Sequence, residues 1–161
     1  MSPRVVFGGL ALALLAVNGL IAQKEWLLQR GDLLLLPLET RDPRSLMQGD
    51  YMTLRYAIAR DAGESPESDG RLVVRVDADR VATFARYDRG EPLQPGEHLL
   101  RYRRRGAFGL RLGAESFFFE EGLGDRYAAA RFGMLRVAAS GDAVLAGLAD
   151  AQRQPIAPAS R

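Results

Sequence analysis

The sequence predicts a mainly β protein, a small antiparallel barrel or sandwich with one short helix near the C-terminal third, preceded by one transmembrane α-helix. Three observations carry that expectation. An uncharged apolar run extends from Val5 to Ala22, short stretches then alternate apolar with polar residues, and Gly, Pro and Asp clusters separate those stretches. With the apolar start and the ragged ends set aside, about 110–120 of the 161 residues remain, the usual size of one domain.

The apolar run comes first. Its 18 residues are interrupted in polarity only by Asn18, and at 1.5 Å per residue they reach about 27 Å, close to the thickness of a bilayer core. Continuation through Trp26, Leu27 and Leu28 to a stop at Gly31 lengthens the span and puts the indole at headgroup level. A cleaved signal peptide is disfavoured, because its apolar core is shorter and Leu20-Ile21-Ala22 places a bulky side chain where a small one is preferred. A buried amphipathic helix is disfavoured too, since apolar residues cover every face from Val5 to Val17. Arg4 precedes the run while Lys24 and Arg30 follow it, so charge alone does not orient it. The short head before the run favours a signal-anchor, with residues 1–4 cytoplasmic, 5–30 in the membrane and the rest exported. Gly9, Ala13 and Ala16 are read as ordinary span composition.

Beyond the span, Leu33 to Leu36 before Pro37 has strand length and is expected at a sheet edge. From Tyr51 to Ile58, the residues Met52, Leu54, Tyr56 and Ile58 alternate with more polar ones, the period of a half-buried strand. Asp61 to Gly70 is expected as an exposed loop between paired strands. Leu72, Val74 and Val76 alternate with Arg71, Val73 and Arg75, and Val81 to Tyr87 follows across Asp77-Ala78-Asp79-Arg80 as a hairpin. His98 to Arg105 and Phe108 to Leu112 are expected as two more strands around Gly106, and Phe117 to Phe119 as a buried one. Asp125 is expected to cap a short helix ending at Gly133, the only one outside the membrane. Met134 to Ala139 and Ala143 to Leu148 form a last hairpin across Ser140-Gly141-Asp142, and the tail from Gln152 is expected to be disordered.

Gly49-Asp50-Tyr51-Met52-Thr53-Leu54-Arg55-Tyr56 carries every specified letter of the signature of the bacterial GDYXXLXY family, which this chain therefore resembles. Asp42 to Leu46, Phe117 to Gly122 and Ala128 to Val137 are similar to that family's other recurrent stretches. The resemblance implies an N-terminal span and a small domain, here 31–150, of unassigned activity, in the company of multi-span membrane proteins; with the signal-anchor reading, the expected place is the bacterial inner (cell) membrane with the domain facing the periplasm or cell exterior. Residues 151–161 follow as a tail. It implies neither a reaction nor a ligand. Physically, Gly49 permits a tight turn, Asp50 accepts backbone N–H bonds there, and Leu54 and Tyr56 pack inward.

Composition excludes much chemistry. With no cysteine, disulfides, thiolate metal sites and cysteine nucleophiles are absent, and a net charge of +2 without a basic block argues against nucleic acid. Ser45 with Gly49-Asp50 resembles the serine region of membrane-anchored signal peptidases, but the sole lysine, Lys24, precedes the serine where those enzymes place theirs later. His98 is the single histidine and stands outside any nucleophile motif. Glu120 and Glu121 are adjacent and face opposite sides of a strand, so they do not make an acid–base pair. No metal site and no cofactor are implied.

The favoured expectation is a non-catalytic accessory module that docks on an integral membrane protein and touches the bilayer through Val5–Ala22. Candidate surfaces are the motif strand (Gly49, Asp50, Tyr51, Leu54, Tyr56), the basic face of Arg101, Arg103 and Arg105, and the cluster of Glu121, Tyr127 and Arg131. The basic face is read first as a solvated strand face that discourages edge pairing, with anionic headgroups or an acidic partner surface as the alternative. The alternatives are a membrane-surface hydrolase using Ser45, Asp50 and His98, and a binder of small ligands or lipid inside the barrel.

Overall fold

The computed structural model describes residues 3–39, 47–48, 51–64, 67–104, 109–120 and 122–157. Helix α1 spans Pro3–Arg30 and is long and apolar enough to cross a membrane. Its apolar side chains face outward, so what solvates them lies outside this domain. Asn18 satisfies its amide on its own helix, donating to the Leu14 carbonyl at 2.8 Å.

The lower end of α1 is fastened to the domain. Leu27 is buried against the sheet below, and the Gly31 N–H donates to the Leu27 carbonyl at 2.8 Å. A Cβ on Gly31 would meet that carbonyl oxygen at 2.6 Å and the Val137 amide nitrogen at 3.1 Å, so only glycine lets the helix end this close to the sheet. Arg136 then donates to the Gly31 carbonyl at 2.9 Å, and strand β1 (Asp32–Pro37) begins at the next residue. Helix passes into strand without a linker.

The remaining elements are β2 (Met47–Gln48), β3 (Tyr51–Thr53), α2 (Ala57–Asp61), β4 (Asp69–Val76) and β5 (Ala82–Tyr87). After them come β6 (Glu97–Arg104), β7 (Leu110–Arg111), β8 (Ser116–Phe118), α3 (Gly124–Tyr127), β9 (Phe132–Val137) and β10 (Ala143–Ala149). They form three antiparallel sheets, ordered β1-β9-β10, β2-β3-β8 and β5-β4-β6-β7, that curl as a half-barrel around one core. Leu34, Leu36 and Leu135 enter that core from the first sheet, Met52 from the second, and Leu72, Val74 and Leu100 from the third. The expected β architecture is present. The expected edge position of Leu33 to Leu36 holds within its sheet, while Leu35 also forms a parallel bridge with Val81, its N–H donating to the Arg80 carbonyl at 2.8 Å, and ties two sheets together.

Several expectations need correction. The motif strand ends at Thr53, and Ala57 and Ile58 belong to α2, so Tyr51 to Ile58 is not one strand. The inward set is nevertheless Met52, Leu54, Tyr56 and Ile58, because Ile58 and Ala62 share the inner face of α2 at helical spacing. Residues 61 to 70 therefore connect α2 to β4, and β3 pairs with β2 and β8. Val73 is fully buried beside Val74 where the β4–β5 register shifts, rather than facing out.

Phe118 is 74% exposed, since consecutive side chains of a strand point to opposite faces and only Phe117 and Phe119 turn inward. Among the described residues two short helices stand outside α1, not one. Leu123, not Asp125, holds the N-cap position of α3 and no side chain caps it; Asp125 sits in the first turn. Gly133 lies in β9, where a Cβ would meet the Tyr56 ring at 2.7 Å, so close ring approach is its reason. The tail is ordered through Ile156, whose N–H donates to Leu148 at 2.9 Å while Asp150 caps the turn before it. Its last residues, 158–161, lie outside the described set.

Candidate functional site

The motif is placed first by its aromatic ends. Tyr51 is half-buried with its ring 5.8 Å from that of Phe118, while Leu54 and Tyr56 are buried in the core. The Tyr56 hydroxyl donates to the Ala114 carbonyl at 2.6 Å, across a separation of 58 residues, and its ring lies over Gly133. Burial, reinforced by the Glu115 charge, raises its pKa, so it stays a protonated donor. These positions make the end of the motif a structural clamp between β3, the segment before β8, and β9. Gly49 and Asp50, with Ser45, lie outside the described residues.

Of the expected cluster of Glu121, Tyr127 and Arg131, the last two are described. Tyr127 is buried edge-on against Phe117 at 4.9 Å and beside Phe119 at 5.3 Å. Arg131 is past the end of α3 and donates to the Ala128 and Ala130 carbonyls, satisfying orphan groups of that helix. Glu121 lies outside the described residues.

The described partner of His98 is Asp32, with 3.5 Å between Nδ1 and Oδ2, at the foot of α1. Among the described residues, no group of three or more His, Asp or Glu side chains is arranged to hold a metal ion.

Arg101 and Arg103 project outward from β6 while Leu100 and Tyr102 point inward. Arg105 lies outside the described residues. Arg101 stands 3.5 Å from Asp142 and Arg103 3.7 Å from Asp69, long pairings on an exposed surface that fix neither side chain strongly. Two clefts open here. One, of about 620 Å³, runs along Arg71, Asp88 and Arg101 to Arg104, and another, of about 340 Å³, lies between Lys24 of α1 and Arg101, Arg103 and Arg111. Lys24 was not expected beside the arginines, because the sequence separates it from them by more than seventy residues.

Sequence reasoning also missed Glu97, the only buried charged residue among the described ones. Its carboxylate accepts from Arg86 at 2.7 Å and from the Gln94 N–H at 3.0 Å, with Arg75 at 3.6 Å. The Arg86 hydrogen bond first, then the Gln94 N–H, hold its pKa below the ordinary 4.5 against the opposing effect of burial. A depressed carboxyl contributes stability above its unfolded value, and that contribution is lost as pH falls through the folded value. The wild-type thermal midpoint is therefore expected to fall as pH drops below 4.5, and Glu97→Gln to fall less steeply. Parallel midpoint-against-pH curves for the two proteins would rule out this role.

Fold and surface together define a mainly antiparallel β domain carried on one exposed N-terminal helix that is long and apolar enough to span a membrane. The motif Tyr is its internal clamp. The chain belongs to the GDYXXLXY protein family, whose model matches residues 13–148, from the middle of α1 to the end of β10. No curated protein and no solved structure matches the chain.

Proposed function

We infer that this protein is a non-catalytic accessory module that docks on an integral membrane protein, held by α1 in a bacterial inner membrane with its β domain on the outer side. The observation that carries the reading is the junction at Gly31, where helix becomes strand without a linker and Arg136 bonds the turning residue. A domain fastened in this way reaches only what lies at the bilayer surface. Neighbouring membrane proteins and lipids are its accessible partners, and exposed Phe118, beside half-buried Tyr51, offers one apolar contact. The hydrolase alternative rests on Ser45 and Asp50, which lie outside the described residues, and His98 stands 3.5 Å from Asp32. An interior ligand is disfavoured by a core filled with Leu34, Leu36, Leu72, Leu100 and Leu135.

The test is extraction in a mild detergent followed by sizing and identification of bound chains. A stable complex with a multi-span protein is expected, and a short Gly-Ser linker inserted between Gly31 and Asp32 is expected to weaken it while the β domain stays folded. Recovery of a lone monomer under gentle extraction would count against docking, and an unaffected complex in the linker variant would remove the junction from the argument.

A further inference from the structure

Lys24 follows the apolar run by two residues, which places it about 3 Å along the helix axis beyond Ala22. If α1 is the anchor, as the preceding reading requires, that is the level where hydrocarbon gives way to headgroups, and exposed Trp26 marks the same zone. The cleft of about 340 Å³ at this level has the anchor as one wall and the outer face of β6 and β7 as the other. Its volume falls within the range of small-molecule sites, about 300–1,000 Å³.

The charge arrangement inside it is unusual for a mere solvated strand. Arg103 and Arg111 are direct cross-strand partners. Like charges placed directly opposite each other destabilise a sheet, and an anion between them relieves that repulsion. The cleft lining also holds two carboxylates, Asp142 and Glu115. Glu115 is committed to the backbone N–H groups of Leu112 and Gly113, and Asp142 stands 3.5 Å from Arg101 while accepting from Ser140. Four cations thus line the cleft with these two carboxylates, and the contacts of Arg101 with Asp142 at 3.5 Å and of Arg103 with Asp69 at 3.7 Å are long ones on an exposed face.

We propose that this cleft clamps the phosphate of an anionic phospholipid from the leaflet beside the domain, with Lys24 closing on it from the helix and Arg101, Arg103 and Arg111 from the sheet. Guanidinium groups suit a phosphate through paired N–H donors, and the lysine adds a compact point charge. The lipid would brace the domain against its own anchor.

The test uses the full chain in nanodiscs of phosphatidylcholine with a minority of phosphatidylglycerol of the same acyl chains, read by native mass spectrometry of retained lipid. Phosphatidylglycerol is expected to be retained in preference to phosphatidylcholine, and Lys24→Gln or Arg101→Gln to lower that preference about fivefold each. The Arg101→Gln/Arg103→Gln double variant is expected to lose it, and Arg153→Gln, whose side chain is absent from the cleft lining, to keep it. Equal retention of the two lipids, or an equal loss in Arg153→Gln, would overturn the clamp. Displacement of the lipid by millimolar inorganic phosphate would overturn the lipid as the source of the anion. Carbonate washing of vesicles separates the two readings: release of the wild-type chain sinks the anchor itself, whereas a retained chain without lipid preference sinks the clamp alone.

Discussion

Tyr56→Ala is expected to destabilise the domain by about 4 kcal/mol, the range for removing a large buried aromatic side chain. The ring is 3% exposed, its hydroxyl holds the Ala114 carbonyl at 2.6 Å, and β9 carries glycine beneath it because nothing larger fits. Truncation leaves a cavity where three chain segments meet and an acceptor without its donor. Tyr56→Phe keeps the ring and loses only the hydrogen bond, so its effect is expected at about 1–2 kcal/mol. Chemical unfolding of the full chain in detergent, followed by far-ultraviolet circular dichroism, measures both. If Phe and Ala are equally harmful, the hydroxyl and not the packing is what the motif residue supplies. Gly133→Ala should approach the harm of overpacking, about 1–3 kcal/mol, and should be milder when combined with Tyr56→Ala, since the two share one space.

Leu100→Ala is expected to cost about 3 kcal/mol, as Leu-to-Ala changes in a closed core do. Leu100 is fully buried, sits opposite the equally buried Leu72 in the β4–β6 register, and lies one residue from outward-facing Arg101. The neighbouring substitution Arg101→Gln is expected to shift stability by less than about 0.5 kcal/mol, because an exposed pairing at 3.5 Å contributes little. The contrast separates the two faces of one strand. A comparable loss from both substitutions would mean that the basic face is part of what holds the sheet together.

Period-two alternation in the motif was legible because burial, not hydrogen bonding, sets it. Met52, Leu54, Tyr56 and Ile58 all point inward although the last of them is helical. The Ile58 and Ala62 spacing was the available sign of the helix. Phe118 misleads by composition, since three consecutive phenylalanines suggest a core and a strand hides only alternate ones. Glu97 and Arg86 carried no local signal, because they stand eleven positions apart across a turn and only the fold brings them to 2.7 Å.

What the amino-acid order settled by itself is whatever depends on neighbours along the chain: the long apolar helix, the alternation of the strands, the Gly31 stop, and the motif that assigns the family. Such features are written in local spacing, and local sterics and solvent preference are enough to produce them. The tertiary structure alone decided that Tyr56 spans to Ala114 and rests on Gly133, and that Lys24 faces arginines of β6 and β7. Those contacts join residues tens of positions apart, and no periodicity encodes a pairing that only the closing of several sheets around one core brings about.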